Sequence, residues 1–338
     1  GIFLALLTCA GTMTGQQYEI RGKVMNRTRN RPVPNQTIEV VAVREGMQTV
    51  KTVKTDGEGV FRIPSAELDS QGVYLLHFFY DDVRYDTPLD LSGNREMEIA
   101  VYDKSAEVGD AVRIRGAIVH LRAEGSRMKI EQAYEVVNAG TPPRVFAGAQ
   151  GTFQVQVDSA APPRISATAV MGLPIPQQVD PTGRPNEYRI YYPMKPGVTI
   201  VHVSYETDYA GGEYEFHDRV GYPIDRLEVL LSPSELAGAS SLLASEGVDS
   251  QMQVARWEAE GVRAGVPFEI RVTGAAAPAG SAPPQVAASE PSAGDELVRT
   301  VPNAVDRYQV SLVLSIFLVM VAGAVFSLWK SRRAGRAA

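Results

Sequence analysis

The sequence predicts an all-β fold: two extracytoplasmic β-sandwich domains, Ig-like or transthyretin-like, followed by one C-terminal transmembrane helix. Its 338 residues suffice for about two domains of ordinary size. The chain is 44% hydrophobic, so it can bury a core, and its 30 glycines and 22 prolines separate short runs of β-branched and aromatic residues. That composition favours many short strands joined by turns. One long uncharged run near the C-terminus supplies the transmembrane element.

Residues 1–15 predict an export signal. Residues 1–10 read G-I-F-L-A-L-L-T-C-A, an apolar stretch too short to cross a bilayer by itself. Three interpretations stay open: the h-region of a cleaved signal peptide, an uncleaved signal anchor that gives a second span, or a lipoprotein signal with Cys9 as the lipidated residue. Cys9 is the only cysteine of the sequence. A disulfide scaffold is therefore excluded, and an exported chain of this kind suits a bacterial envelope.

Residues 18–104 predict the first β-sandwich. The segment Y-E-I-R-G-K-V-M alternates apolar and polar positions, as a half-buried strand does, and residues 73–80 form a continuous apolar strand. Asp56 and Gly57 predict a hairpin turn, and Gly59 tolerates positive φ. Phe61 follows this turn, and we expect it in the core.

The same segment resembles the carboxypeptidase regulatory-like domain, which opens a strand with Gly, continues through a Pro-containing loop and closes on Thr-Asp-x-x-Gly-x-Phe. The resemblance covers about 85 residues. It implies a transthyretin-like (prealbumin-like) sandwich of about seven strands that is non-catalytic and serves assembly, adhesion or carbohydrate contact. No residue of a peptidase active site carries over. The matching positions are Gly22, Pro32, Pro34, Thr55, Asp56, Gly59 and Phe61.

Residues 108–274 predict a second β-sandwich, because short strand patterns and turn signals recur about every 8–12 residues. Residues 187–192 and 198–205 are expected to form a hairpin. One short helix is predicted at residues 233–245, because Ser232-Pro233-Ser234-Glu235 reads as a capping box with proline at the first helical position.

The C-terminal part predicts a linker, a membrane span and a basic tail. Residues 275–306 are rich in Ala and Pro and cannot form a core. Residues 308–329 predict the transmembrane helix, since the uncharged run within it is about 30 Å long at about 1.5 Å per residue. The tail, residues 330–338, has four basic residues and no acid, so the positive-inside rule places it in the cytoplasm. The helix-packing candidates are Ser311, Ser315, Gly323 and Ser327, small residues in pairs four positions apart.

The sequence predicts no catalytic residue, no cofactor and no metal ligand. P-loop, dinucleotide-binding, HExxH and GxSxG patterns do not occur, and the four histidines lack chelating spacing. Two groups of acids could contact calcium at a loop end, but they lack the spacing of a calcium loop, and we expect them to be solvated. These groups are Asp81, Asp82 and Asp86, and Glu213, Glu215 and Asp218.

Tyrosines supply the candidate interface residues. Exposed tyrosine rings make good contacts with proteins and sugars. Strand alternation makes about half of those in the second domain face the core, where they only pack. The candidates are Tyr188, Tyr191, Tyr192, Tyr205 and Tyr209.

We therefore expect a non-catalytic structural or interaction protein of the bacterial inner membrane, with the bulk of the chain in the periplasm. It would be an accessory subunit of an envelope membrane complex, for which a respiratory or photosynthetic assembly is one candidate. Its partners would be integral membrane proteins and the bilayer. The net charge of −6, or −10 without the four charges of the tail, argues against nucleic acid. The alternative is a membrane-tethered module that binds carbohydrate or cell wall.

Overall fold

The computed structural model describes residues 19–44, 46–89, 91, 96–107, 109–159, 161–169 and 174–279. This part of the chain is all-β, and its helical segments are two 3₁₀ turns, Ser65–Glu67 and Gly109–Ala111. Neither turn is long or apolar enough to cross a membrane. Outside the described residues lie the predicted export signal, linker residues 280–306, the predicted transmembrane helix with its candidates Ser311, Ser315, Gly323 and Ser327, and the basic tail.

Eight strands build the first sandwich. They are β1 (Glu19–Asn26), β2 (Arg31–Pro32), β3 (Thr37–Arg44), β4 (Gly46–Lys54), β5 (Val60–Pro64), β6 (Tyr74–Tyr80), β7 (Val83–Leu89) and β8 (Glu96–Val101). In one sheet, β1 pairs antiparallel with β2 and β5 and in parallel with β8. The other sheet has the order β4-β3-β6-β7 and is antiparallel throughout. Inward-facing residues of both sheets form one apolar core.

The turn after β4 is built as the sequence predicts. The Asp56 side chain accepts hydrogen bonds from the backbone N–H groups of Glu58 and Val60, at 3.0 and 2.9 Å. Gly59 has a φ of +76°, which suits glycine because it lacks a Cβ. Phe61 is 1% exposed, which confirms the expected core position. Its ring fills the space beside Gly22 on β1, where a Cβ would lie 2.1 Å from it.

Sixteen strands follow in the second β region. They are β9 (Lys104–Ser105), β10 (Val112–Glu124), β11 (Arg127–Asn138), β12 (Val145–Phe146), β13 (Phe153–Gln156), β14 (Arg164–Ala169), β15 (Ile175–Pro176), β16 (Asp180–Pro181), β17 (Glu187–Ile190), β18 (Gly197–Asp208), β19 (Glu213–Asp218), β20 (Ile224–Ser232), β21 (Ala237–Ala239), β22 (Ala244–Asp249), β23 (Val254–Val262) and β24 (Phe268–Thr273).

The second core lies between one large sheet and two small ones. The large sheet has eight strands in the order β15-β14-β18-β11-β10-β20-β23-β22. The small sheets have the orders β13-β17-β16 and β19-β24-β21. The long strands β10, β11 and β18 alternate between buried and half-exposed residues. Their buried positions join those of the small sheets in a second hydrophobic core.

The predicted helix at 233–245 is wrong. Residues Ala237–Ala239 form β21, which pairs with β24, and Ala244–Asp249 form β22 at the edge of the large sheet. The capping-box pattern depends only on neighbouring residues. The strands form instead because the edges of β24 and β23 supply backbone hydrogen-bond partners for these residues. Gly238 weakens a helix by about 1 kcal/mol. It also lets the strand lie against the ring of Trp257, because a Cβ there would be 2.7 Å from that ring.

The predicted hairpin between residues 187–192 and 198–205 is also wrong. Strand β17 pairs with β13 and β16, while β18 pairs with β11 and β14 in the large sheet. The segment between them passes from one layer to the other instead of turning back. Met194 in this segment is buried and exchanges backbone hydrogen bonds with Phe146. These bonds take the place of the ladder that a hairpin would have formed.

The described residues of the two β regions belong to one compact unit. Strand β9 pairs in parallel with β12. Beside it, the carboxylate of Asp103 accepts hydrogen bonds from the side chains of Asn26 and Arg29, both at 2.6 Å. Residues 275–279, which the sequence assigns to the linker, lie on the second sandwich, where the N–H of Ala277 donates to the carbonyl of Ala123 at 3.0 Å.

Candidate interaction surface

The outer face of the β4-β3-β6-β7 sheet is the candidate interaction surface. It is the face turned away from the first core. Strands β3 and β6 carry apolar residues on both faces. Packing of the inner face leaves part of the outer apolar residues exposed, although Val41 among them is only 8% exposed. Val73 is 63% exposed and Met47 is 66% exposed. Exposed apolar residues are ordinary when they are scattered, but a contiguous group marks an interaction site.

The pairing register makes this group contiguous. Residues directly opposite each other in neighbouring strands share one face of a sheet, with Cβ atoms about 4.5–5.5 Å apart. Successive rows across the outer face are Met47, Val43 and Val73, then Thr49, Val41, Leu75 and Pro88, then Thr52, Glu39, His77 and Asp86. The first two rows are mainly apolar and the third is polar. We call the apolar residues of the first two rows the apolar rows.

The polar row ends in a three-residue ionic cluster. Nδ1 of His77 lies 2.7 Å from Oδ1 of Asp86, and Nε of Arg84 donates to Oδ2 of Asp86 at 2.7 Å. Partial burial raises the pKa of Asp86, but the hydrogen bonds from Arg84 and His77 outweigh it and hold the pKa below its ordinary value. The Asp86 carboxylate is therefore ionised at neutral pH and already satisfied by this protein.

The two edges of the sheet differ. Strand β7 lies beside the second sandwich, where Nζ of Lys195 sits 4.1 Å above the ring of Tyr85. Burial lowers the pKa of Lys195, and the nearby Asp86 opposes that effect. Strand β4 pairs with β3 alone among the described strands, and seven of its nine residues are exposed. The apolar rows therefore reach an accessible strand edge on the β4 side.

The predicted interface tyrosines separate into two groups. Tyr191 is 44% exposed, and Tyr188 and Tyr192 are half-buried against the second core. For Tyr205 and Tyr209 the prediction is wrong, because both rings are buried. Tyr205 occupies an inward position of β18, and the Tyr209 hydroxyl donates to the carbonyls of Gly212 and Gly274, each at 3.1 Å. These two side chains stabilise the fold and cannot contact a partner.

The predicted acidic groups are also divided by the structure. Asp218 is not a solvated loop acid: its side chain is fully buried inside the second sandwich. Its carboxylate accepts hydrogen bonds from the Tyr134 hydroxyl, from Nε2 of Gln132 at 3.1 Å and from the backbone N–H of Arg219 at 2.7 Å. Burial raises the pKa of Asp218 to about 6, although these hydrogen bonds oppose the rise. Glu213 pairs with Arg271, and Glu215 stays on the surface.

Sequence reasoning missed the apolar rows, although the signal was present. A strand that is apolar at every position is ordinarily buried on both faces. Residues 73–80 and the segment T-I-E-V-V-A-V of β3 are apolar at most positions, yet on their outer faces Val43 and Val73 stay exposed. The sequence predicts the apolar character of these strands, but only the sheet order identifies the uncovered face.

No protein-family model matches this chain, and no curated protein matches it. Among solved structures, it is similar to a DUF3823 family protein from Parabacteroides merdae ATCC 43184, with a TM-score of 0.20 and 10% identity over 60% of this chain and 90% of that one. It is also similar to a DUF3823 family protein from Bacteroides ovatus ATCC 8483, with a TM-score of 0.19 and 14% identity over 61% and 89%.

Proposed function

We propose that this chain is a non-catalytic, membrane-anchored interaction protein, an accessory subunit of a bacterial envelope membrane complex, that contacts its partner through the apolar rows. The observation that carries the proposal is the uncovered outer face of the β4-β3-β6-β7 sheet. Its rows run across at least three strands, and side chains such as Val73 and Met47 are largely exposed. Burial of such side chains contributes about 25 cal/mol for each Å² of apolar surface removed from water.

The composition of this surface indicates the kind of partner that it binds. Apolar rows bordered by a polar row suit the mixed composition of a protein interface, where an apolar centre is surrounded by a polar rim. The exposed edge of β4 could also pair with an extended segment of the partner. A periplasmic segment of an integral membrane protein, held close to this chain by the predicted membrane helix, is the occupant we propose.

The experiment is co-purification of the full chain from its native membranes in mild detergent, with two matched variants. Val73→Asp places a charge in the apolar rows. Val248→Asp places the same charge on an equally exposed valine, since Val248 is 60% exposed on β22 of the second sandwich. We expect Val73→Asp to lose the membrane partner and Val248→Asp to keep it, with both variants folded.

A third variant separates the sheet from the membrane helix. Replacement of residues 310–329 by polyleucine of equal length removes the small residues Ser311, Ser315, Gly323 and Ser327 but keeps a span. Loss of the partner in this variant alone would move the contact into the membrane and refute the role of the apolar rows. If no membrane protein co-purifies with the wild-type chain, the subunit proposal is refuted. Retention on isolated cell wall would then favour the carbohydrate-binding alternative.

A further inference from the structure

We propose that Glu215, His217 and Glu269 form a binding site for one divalent transition-metal ion of the Zn²⁺ type. The three side chains lie on the outer face of the small β19-β24-β21 sheet, away from the apolar rows. In each strand, residues two apart point to the same face, which places Glu215 and His217 side by side on β19. Glu269 on β24 lies directly opposite His217 in the antiparallel register.

The distances leave room for an ion at one nitrogen of His217. Nε2 of His217 lies 3.6 Å from a carboxylate oxygen of Glu215, and Nδ1 lies 3.5 Å from one of Glu269. Both separations are longer than a good hydrogen bond. An ion binds only one of these two nitrogens, and two ligands of one tetrahedral Zn²⁺, each bonded at about 2.0–2.1 Å, lie roughly 3.3 Å apart. One ligand atom from each of the three residues falls within 4.8 Å of the others, so a change in the Glu side-chain rotamers brings them onto one ion.

The local charge also favours a cation. Arg271 lies directly opposite Glu215 on the same face, but its guanidinium is paired with Glu213. Two carboxylates therefore remain beside the imidazole without a lysine or arginine paired to them in the described structure. All three side chains are between 44% and 60% exposed, so a hydrated ion can reach them. Three protein ligands would leave a fourth position for water or for a group of a second molecule.

The ligand set selects the class of metal. Imidazole nitrogen combined with carboxylate oxygen suits Zn²⁺ and neighbouring transition metals, whereas Ca²⁺ and Mg²⁺ prefer oxygen ligands alone. The cluster around His77 provides a contrast within the same chain. There Asp86 is already bound by Arg84, whose positive charge would repel an ion.

The test is calorimetric titration of the untagged, metal-free full chain with Zn²⁺, with Mg²⁺ and Ca²⁺ as competitors. We expect one bound Zn²⁺ that a large excess of Mg²⁺ does not displace. His217→Ala should weaken binding by at least the roughly tenfold that loss of even an outer-shell partner costs at metal sites. The isosteric Glu269→Gln should weaken it in the same direction, and His77→Ala should leave it unchanged.

Two results would refute the site. One is the absence of measurable Zn²⁺ binding by the wild-type chain in this titration. The other is equal binding by the wild-type chain and the His217→Ala variant, which would place the ion elsewhere. Circular dichroism of each variant verifies that the fold is intact, and the imidazole ¹⁵N resonances of His217 should shift on addition of Zn²⁺ in the wild-type and His77→Ala chains.

Discussion

The first sandwich closes around apolar side chains, whereas the second buries a carboxylic acid among tyrosines. The first core consists of residues such as Phe61, Leu76 and Phe78. The buried polar residues beside it are Asn26 and Asp103, which are hydrogen-bonded to each other, and Thr55, whose hydroxyl donates to the carbonyl of Val33. The second core contains Asp218, which takes hydrogen bonds from Tyr134 and Gln132 across the two layers. Nearby, the hydroxyls of Tyr205 and Tyr214 are buried beside each other.

This difference determines which conditions each core responds to. An apolar core is held by burial and close packing, so it is sensitive to changes of volume and insensitive to pH. A buried carboxyl group makes the free energy of unfolding depend on pH, because ionisation of the group has a higher free energy in the folded state than in the unfolded chain. The predictions below use substitutions that act on one core and leave the other unchanged.

The largest effect is expected at the first core. Phe61→Ala should lower the free energy of unfolding by about 3–5 kcal/mol, as truncation of core aromatic residues does. Phe79→Ala removes the same ring from the outer face of the same sandwich, where the ring is exposed. It should change stability by no more than about 0.5 kcal/mol. Urea denaturation of both variants measures the difference, and similar losses in both would contradict the position of Phe61.

The second core should show a pH dependence that comes from Asp218. Its folded pKa of about 6 lies above the ordinary value of 3.8. The protonated acid therefore favours the folded state, and this contribution is lost as pH rises from about 4 to about 6. Asp218→Asn removes that dependence. Relative to the wild-type chain, the variant should gain up to roughly 3 kcal/mol between pH 4 and pH 7 in urea denaturation. A difference that does not vary with pH would contradict the prediction.

Protonation of His120, on β10 of the large sheet, should affect stability in the opposite direction to protonation of Asp218. Nε2 of His120 is buried without a hydrogen-bond partner in the described structure, and burial together with the nearby Arg122 lowers its pKa from 6.5 to about 4. The neutral ring favours the folded state, so this contribution is lost as pH falls from about 6.5 to about 4. His120→Gln should therefore gain up to roughly 3 kcal/mol relative to wild type as pH falls through this range. In the Asp218→Asn, His120→Gln double variant the two opposite pH dependences should largely cancel. The difference in free energy of unfolding from the wild-type chain should then vary little between about pH 4 and pH 7.

The smallest effect is expected at the turn before Phe61, which offers a matched pair of glycines. Gly59→Ala should cost about 1–3 kcal/mol because Gly59 has positive φ, and its Cβ would lie 2.7 Å from the carbonyl oxygen of Val24. Gly57→Ala, two residues earlier, places its Cβ in open space and should be nearly neutral. Thermal unfolding measures the stability of the two variants. Equal losses of stability in both would indicate that the conformation of the turn does not depend on the backbone at Gly59.

The outcome of the sequence predictions depended on how local each signal was. The turn at Asp56 and the core position of Phe61 depend on residues that are neighbours in the chain, and both were predicted. The helix at 233–245 was predicted from a four-residue pattern that is equally local, yet the edge of β24 provided different backbone partners. The candidate tyrosines illustrate the same point. Strand alternation indicates that about half of them face the core, but it does not identify which ones.

By itself the sequence determined the all-β class, most strand positions and the apolar character of β3 and β6, because these follow from alternation and turn chemistry over a few residues. Only the tertiary structure decided which apolar face stays uncovered, that Asp218 lies inside a core, and that Glu269 lies opposite His217. Each of these depends on pairing between segments far apart in the chain. The residue pattern of a strand separates its two faces, but the strands and layers that pack against it determine which face is buried.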